Sequence, residues 1–224
     1  MTDPAGTRPV VVLISGRGSN MEAIVAHSRQ AGSCCTVRAV LCDRPAAPGL
    51  DRARVLGIPV DCVSPRGFAD RESYDLALAD RVAQFEPAVV ALAGFMRILS
   101  PAFVRRFAGR LLNVHPSLLP KYRGLDTHRR VLAAGDAEHG ASVHFVTEEL
   151  DAGPVVYQAR VAVRPGDSVD ALSARVQSVE HIIYPRAVDL LASGRLELRG
   201  EHAYLDDAPL AEPLTIPQME ATAP

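Results

Sequence analysis

Five consecutive apolar residues at Val10–Ile14, three of them valine, are too few for a helix and show no polar alternation. A run like this is stable as a parallel strand covered on both faces, so helices must lie above and below it. The chain supplies them in strict alternation. Gly16-Arg-Gly-Ser-Asn20 follows the strand at once, and Met21, Ile24 and Val25 then recur at helical spacing until Gly32. Val37–Cys42, Pro59–Val63, Ala88–Ala93 and the run into Asn113 repeat the strand pattern. Between them lie a short helix through Leu50, Ala53 and Leu56, a helix capped by Asp70 with Tyr74, Leu78, Val82 and Phe85 on one face, and a helix opened by Ser100-Pro101. Alternation of this kind predicts an α/β fold with a Rossmann-like, doubly wound, mostly parallel sheet and flanking helices.

The second half departs from that rhythm. Ala141–Val146 and Val155–Val163 read as strands joined by the short Thr147–Gly153 connector, which predicts an antiparallel addition to the sheet. Asp167-Ser168 caps the longest helical pattern, carried by Val169, Leu172, Val176, Val179 and Ile183, and Pro185 is expected to kink or divide it. Past Gly194 there are short β-like pieces such as Leu196–Leu198. A single domain over residues 1–224 is expected, with an ordered core from about 9 to 205 and a loose tail at 206–224.

Within this frame Leu111–Pro120, LLNVHPSLLP, places an amide and an imidazole two residues apart where a strand stops at a Pro-rich loop. In extended backbone, residues i and i+2 share a face, so Asn113 and His115 can address one bound molecule. Strand ends at the carboxyl edge of an open α/β sheet are where ligands bind. Asp151, in the Thr147–Gly153 connector, lies between Leu150 and Ala-Gly-Pro rather than in a polar run. An amide donor, an imidazole and a carboxylate are the parts needed for acyl transfer to an amine: two groups hold the oxyanion and the carboxylate favours the charged ring. The alternative is that the pair merely terminates a strand. There is no G-x-S-x-G, no cysteine beside His115 and no H-E-x-x-H, which disfavours a covalent intermediate and gives the expectation of no metal.

The Gly16–Asn20 turn exposes backbone N–H groups at a helix start, which suits a single phosphomonoester; a tight turn with an ordinary cap is the competing reading. Ser19 and Asn20 either cap the helix or donate to an anion. Arg71 opposes the dipole of the helix it begins, as a solvated cation or as a partner for a ligand carboxylate. Gly94–Leu99 is an apolar loop with one embedded cation, either core filling or a slot for a flat ligand. Gln177 and Glu180 share a polar helix face, which reads as solvated surface. Residues 121–127 form a polar loop of the kind that often acts as a lid.

The formal charge of -2, from 24 basic and 26 acidic residues, argues against a nucleic-acid-binding protein. The four cysteines, at 34, 35, 42 and 62, lack a C-x-x-C pair and read as reduced thiols. With no signal-peptide pattern and no apolar run near the roughly 20 residues of a membrane helix, a soluble cytoplasmic protein without membrane partners is expected, as a monomer or homodimer.

The runs LLNVHPSLLPKYRG and HGASVHFVTEELDAGPVV (His139–Val156), with ISGRGSN (Ile14–Asn20) and AGFMRILSPAFV (Ala93–Val104), resemble the formyltetrahydrofolate-dependent formyltransferases. Within that family they are most similar to the branch that formylates glycinamide ribonucleotide in purine biosynthesis. The resemblance runs from about Val10 to Gly194. It implies 10-formyltetrahydrofolate as co-substrate and a catalytic set of Asn113, His115 and Asp151. Gly18, Ser19 and Asn20 match the loop for the substrate phosphate, and Gln177 to Glu180 a segment that holds the ribonucleotide. Arg71, Met96, Arg97, Ile98, Leu99, Asn113, Thr147 and Asp151 match folate-contacting positions. Arg123 departs from the proline that many relatives carry there. Three rivals stand beside this reading. Formylation of methionyl-tRNA calls for extra length and a basic region, a folate deformylase for an additional N-terminal domain, and a non-catalytic phosphosugar-binding protein for the Gly18 loop alone.

Overall fold

The computed structural model describes residues 6–216. β1 (Arg8–Ile14) takes an interior place in an eight-stranded sheet, where every side chain from Val10 to Ile14 is buried and alternate ones enter opposite layers. Val10, Val12 and Ile14 join one core cluster; Val11 and Leu13 join the other. Around β1 the chain builds α1 (Ser19–Ser28), β2 (Cys35–Cys42), α2 (Pro48–Val55), β3 (Val60–Cys62), α3 (Arg71–Ala83), β4 (Val89–Leu92), α4 (Pro101–Arg106) and β5 (Leu111–His115). It continues through α5 (Thr127–Ala134), β6 (Glu138–Phe145), β7 (Val155–Ala162), α6 (Val169–Ala192), β8 (Leu196–Arg199), β9 (His202–Leu205), β10 (Ala208–Pro209) and β11 (Leu214–Thr215).

The sheet order is β11-β7-β6-β5-β4-β1-β2-β3. Strands β3, β2, β1, β4 and β5 are parallel, β6 and β7 add antiparallel, and β11 pairs with β7 in parallel. The order reverses between β1 and β4, which opens a crevice at their carboxyl ends. Helices α1 and α6 pack together over one face, with Met21, Ile24, Val176 and Ile183 in its core; Tyr74 of α3 and Phe103 of α4 cover the other.

Local chemistry accounts for several boundaries. Asp70 caps α3 by accepting from the backbone N–H of Ser73, whose hydroxyl in turn lies against the Asp70 N–H, a reciprocal capping box. Ser100 and Ser168 cap α4 and α6 by accepting from Phe103 and Ala171. Two expectations need correction. Pro185 does not divide α6, which runs unbroken for 24 residues; Pro185 is buried, and the neighbouring Tyr184 hydroxyl lies 3.0 Å from the carbonyls of both Leu92 and Leu112. Packing against the sheet offsets the one helical hydrogen bond that proline forfeits. Nor is the chain loose from residue 206: β10 extends a small antiparallel sheet with β8 and β9, and β11 returns to Tyr157 and Gln158 at the edge of the main sheet. Unsatisfied edge groups on β7 give β11 somewhere to pair. The remainder of the expected tail, 217–224, lies outside the described residues.

Candidate active site

Alternation along β5 decides which side chains reach the crevice. Leu112 and Val114 enter the core beneath α6, so Asn113 and His115 must project from the opposite face. The antiparallel register sets Asn113 opposite His144 and His115 opposite Ser142. The connector after β6 folds back over this same face. Gly153 makes the fold-back possible, because a Cβ there would stand 2.0 Å from the Phe145 carbonyl oxygen. Asp151 adopts a left-handed conformation with φ 49°, an unusual state for a side-chain-bearing residue and one often found where a site constrains the backbone.

Asn113 and His115 therefore meet the sequence-distant Asp151, together with one side chain the sequence reading missed. Asp151 Oδ2 lies 3.4 Å from His115 Nδ1 and accepts from the Gly124 N–H at 2.9 Å, while Oδ1 lies 3.7 Å from His144 Nε2. Asn113 Nδ2 is 3.1 Å from His144 Nε2. The His115, His144 and Asp151 side chains are all at least nine-tenths buried. His115 Nε2 contacts the Tyr122 carbonyl at 2.9 Å, and a carbonyl can only accept, so that nitrogen carries hydrogen. Burial drives the His144 pKa down to about 4, against a partial upward pull from the Phe145 carbonyl and Asp151. His144 gave no sequence signal, because it lies within a buried strand and its role depends on cross-strand register.

The loop expected as a lid is tied over this cluster. Arg123 pairs with Glu149 at 2.7 Å, Arg130 donates to the Arg123 carbonyl, and the Tyr122 hydroxyl and Lys121 both reach Asp136. Arg123, the departure noted above, thus joins the two loops that meet over His115.

At the neighbouring strand ends stand the other expected residues. Gly18 has φ 77°, and a Cβ on it would crowd the Gly49 Cα at 3.1 Å, so this turn needs glycine. Ser19 and Asn20 do not cap α1, whose first turn has no side-chain cap. Instead the Ser19 hydroxyl accepts from Gln177 and the Asn20 amide donates to Glu180 at 2.7 Å. Glu180, read from sequence as solvated, is 7 % exposed; burial pushes its pKa up to about 7, opposed by the Asn20 hydrogen bond. The reading missed this pairing because α1 and α6 meet only in the fold, 160 residues apart in sequence.

Ser15 ties this turn to the Gly94–Leu99 loop by accepting from the Met96 N–H at 2.8 Å. Met96 and Ile98 are exposed and Leu99 is buried. The Arg97 guanidinium stacks over Tyr74 at 4.7 Å, and its Nε is buried without a hydrogen-bond partner. Arg71 is exposed at the start of α3. Thr147, half-buried, holds the Asp151 connector by donating to the Glu149 carbonyl. Among the described residues no group of three or more His, Cys, Asp or Glu is placed to hold a metal, and no helix is long and apolar enough to cross a membrane. The four cysteines are free thiols. Cavities of about 430 and 410 Å³ lie elsewhere, at the amino edge of the sheet and behind Tyr122; converging chemistry marks this site.

Comparison with known proteins agrees with this geometry. The formyl transferase family model matches residues 8–188. The chain is 54 % identical over 197 residues to phosphoribosylglycinamide formyltransferase of Escherichia coli, covering 88 % of this chain and 93 % of that protein. It is 41 % identical over 199 residues to the protein of that name from Haemophilus influenzae, covering 89 % and 94 %. In three dimensions it is similar to the phosphoribosylglycinamide formyltransferase of Coxiella burnetii, with a TM-score of 0.89, 45 % identity and coverage of 94 % of this chain and 100 % of that one. With the family model spanning most of its length, and near relatives matched almost end to end, the chain belongs to the formyl transferase family.

Proposed function

We propose that this chain transfers the formyl group of 10-formyltetrahydrofolate to the primary amine of glycinamide ribonucleotide in purine biosynthesis, leaving tetrahydrofolate and the formylated ribonucleotide. The observation that carries it is the contact chain from half-buried Asn113 through buried His144 and Asp151 to His115 at the sheet's carboxyl edge, in a protein so similar to named phosphoribosylglycinamide formyltransferases. The amine attacks the formyl carbon. Asn113 donates to the oxyanion that develops, and His115, held by Asp151 through Nδ1, offers its Nε2–H to the same oxygen and then to the leaving folate nitrogen. In the free chain that N–H rests on the Tyr122 carbonyl, so bound substrate exchanges with this contact. The amine's own proton replaces the one His115 gives up, and the ring ends the cycle as it began.

The surrounding groups suit the two ligands. The Gly18–Asn20 turn presents uncapped N–H groups of α1 to a phosphate, and Gln177 and Glu180 sit against that turn. Exposed Met96 and Ile98, with Leu99 and Thr147, would flank a flat pterin, while Arg71 and the unpartnered Nε of Arg97 would meet carboxylate or carbonyl oxygens. The partners in this reading are small molecules, the working form is a monomer or homodimer, and the compartment is the cytoplasm.

The test is to mix the protein with 10-formyltetrahydrofolate and follow tetrahydrofolate with and without glycinamide ribonucleotide. Release that depends on the amine is the expected result; equal release with water alone would make the protein a hydrolase.

A further inference from the structure

We propose that His144 is a positioning residue for the transfer step: a ring held in one neutral tautomer that sets which way round the Asn113 amide lies. The inference rests on the formyl-transfer reading above. Its geometric basis is a chain of obligatory donors and acceptors. His144 Nδ1 lies 2.9 Å from the Phe145 carbonyl, which can only accept, so Nδ1 carries the hydrogen. An uncharged ring then has a lone pair at Nε2, and Asn113 Nδ2 stands 3.1 Å from it. Turning the amide over would set the Asn113 carbonyl oxygen against that lone pair. The ring therefore anchors one Nδ2–H and leaves the second for a ligand.

The same tautomer governs Asp151. Its Oδ1 is 3.7 Å from His144 Nε2, but a nitrogen without hydrogen has nothing to donate. The carboxylate is left to His115 Nδ1 at 3.4 Å and the Gly124 N–H at 2.9 Å. A charged His144 would compete for Asp151 and favour the turned-over amide. Burial of the ring, 2 % exposed, opposes that charge, in line with its lowered pKa.

The experiment is a double-mutant cycle on kcat. His144→Leu should lower kcat about tenfold, the worth of one such hydrogen bond, with both KM values within about threefold of wild type. In an Asn113→Ala background the same change should cost less than about twofold, because the group it orients is gone. His144→Gln, which keeps an acceptor, should recover part of the loss. The side-chain amide resonances of Asn113 should move in His144→Leu, a readout independent of turnover. A tenfold loss that persists without Asn113, or no loss together with unmoved Asn113 resonances, overturns the proposal. Should His144→Leu fail to fold, the cycle and the resonances are read on His144→Gln, whose smaller loss must also vanish in the Asn113→Ala background. A wild-type protein that transfers no formyl group refutes the functional reading instead, and the amide resonances still decide whether His144 orients Asn113.

Discussion

His115 is wedged between a carboxylate on Nδ1 and a carbonyl on Nε2, so both ring nitrogens have set roles before any ligand arrives. In the proposed transfer His115 and Asn113 are the oxyanion donors, so replacing either by alanine should cut kcat by about 10²–10³ with modest change in KM, read by steady-state kinetics. Asn113 and His115 were legible in sequence because strand periodicity is a local rule and Pro116 marks the strand's end. Asp151 was legible by the company it keeps. His144 was not, since nothing near it in sequence reveals that Asn113 stands opposite across β5 and β6. The Asn20–Glu180 pair was hidden for the same reason: the meeting of two helices from opposite ends of the chain turns a polar helix face into a buried carboxyl.

At the scale of the element, the connector between β6 and β7 carries Asp151 on a fold-back that depends on a missing side chain. Gly153→Ala places a Cβ against the Phe145 carbonyl, so it should destabilise the protein and lower kcat as well, because Asp151 is displaced with the backbone. Thermal melting and turnover of one preparation check both. For contrast, Ser168→Ala removes the cap of α6 far from the carboxylate and should cost about 1 kcal/mol of stability with kcat unchanged. Caps were readable because they are chemistry within four residues. The unbroken course of α6 through Pro185 was not: local propensity argues for a break, and the sheet beneath overrides it.

For the whole molecule, the buried histidines set the response to acid. Burial takes His139 and His144 from an ordinary pKa near 6.5 to about 4, so between those values the unfolded chain binds two protons that the folded chain refuses. Glu180 works the other way: its pKa is raised to about 7, so between 4.5 and 7 the folded chain keeps a proton the unfolded chain has lost. His128 and His181, also lowered by burial, add to the histidine side. The lowered histidines outweigh Glu180 and Asp75, whose carboxyl burial likewise raises, so stability should fall by on the order of 1 kcal/mol per pH unit between pH 6 and 5. Urea unfolding at pH 7, 6 and 5 checks this, and a stability that is flat or rises on acidification contradicts it. At this scale the sheet was legible, because five alternating strand and helix patterns leave few arrangements open. The return of β11 to the edge of β7 was not, since two-residue strands carry no pattern and are defined by what they pair with.

All of this turns on a carboxylate that holds an imidazole beside an amide. The most direct measurement is the single-turnover rate of formyl transfer to glycinamide ribonucleotide by Asp151→Asn, at saturating concentrations of both substrates and pH 7, against wild type. The account predicts a rate lower by at least about 10²-fold with both substrates still bound. A rate within a few-fold of wild type would show that Asp151 does not support the chemistry and would contradict the account.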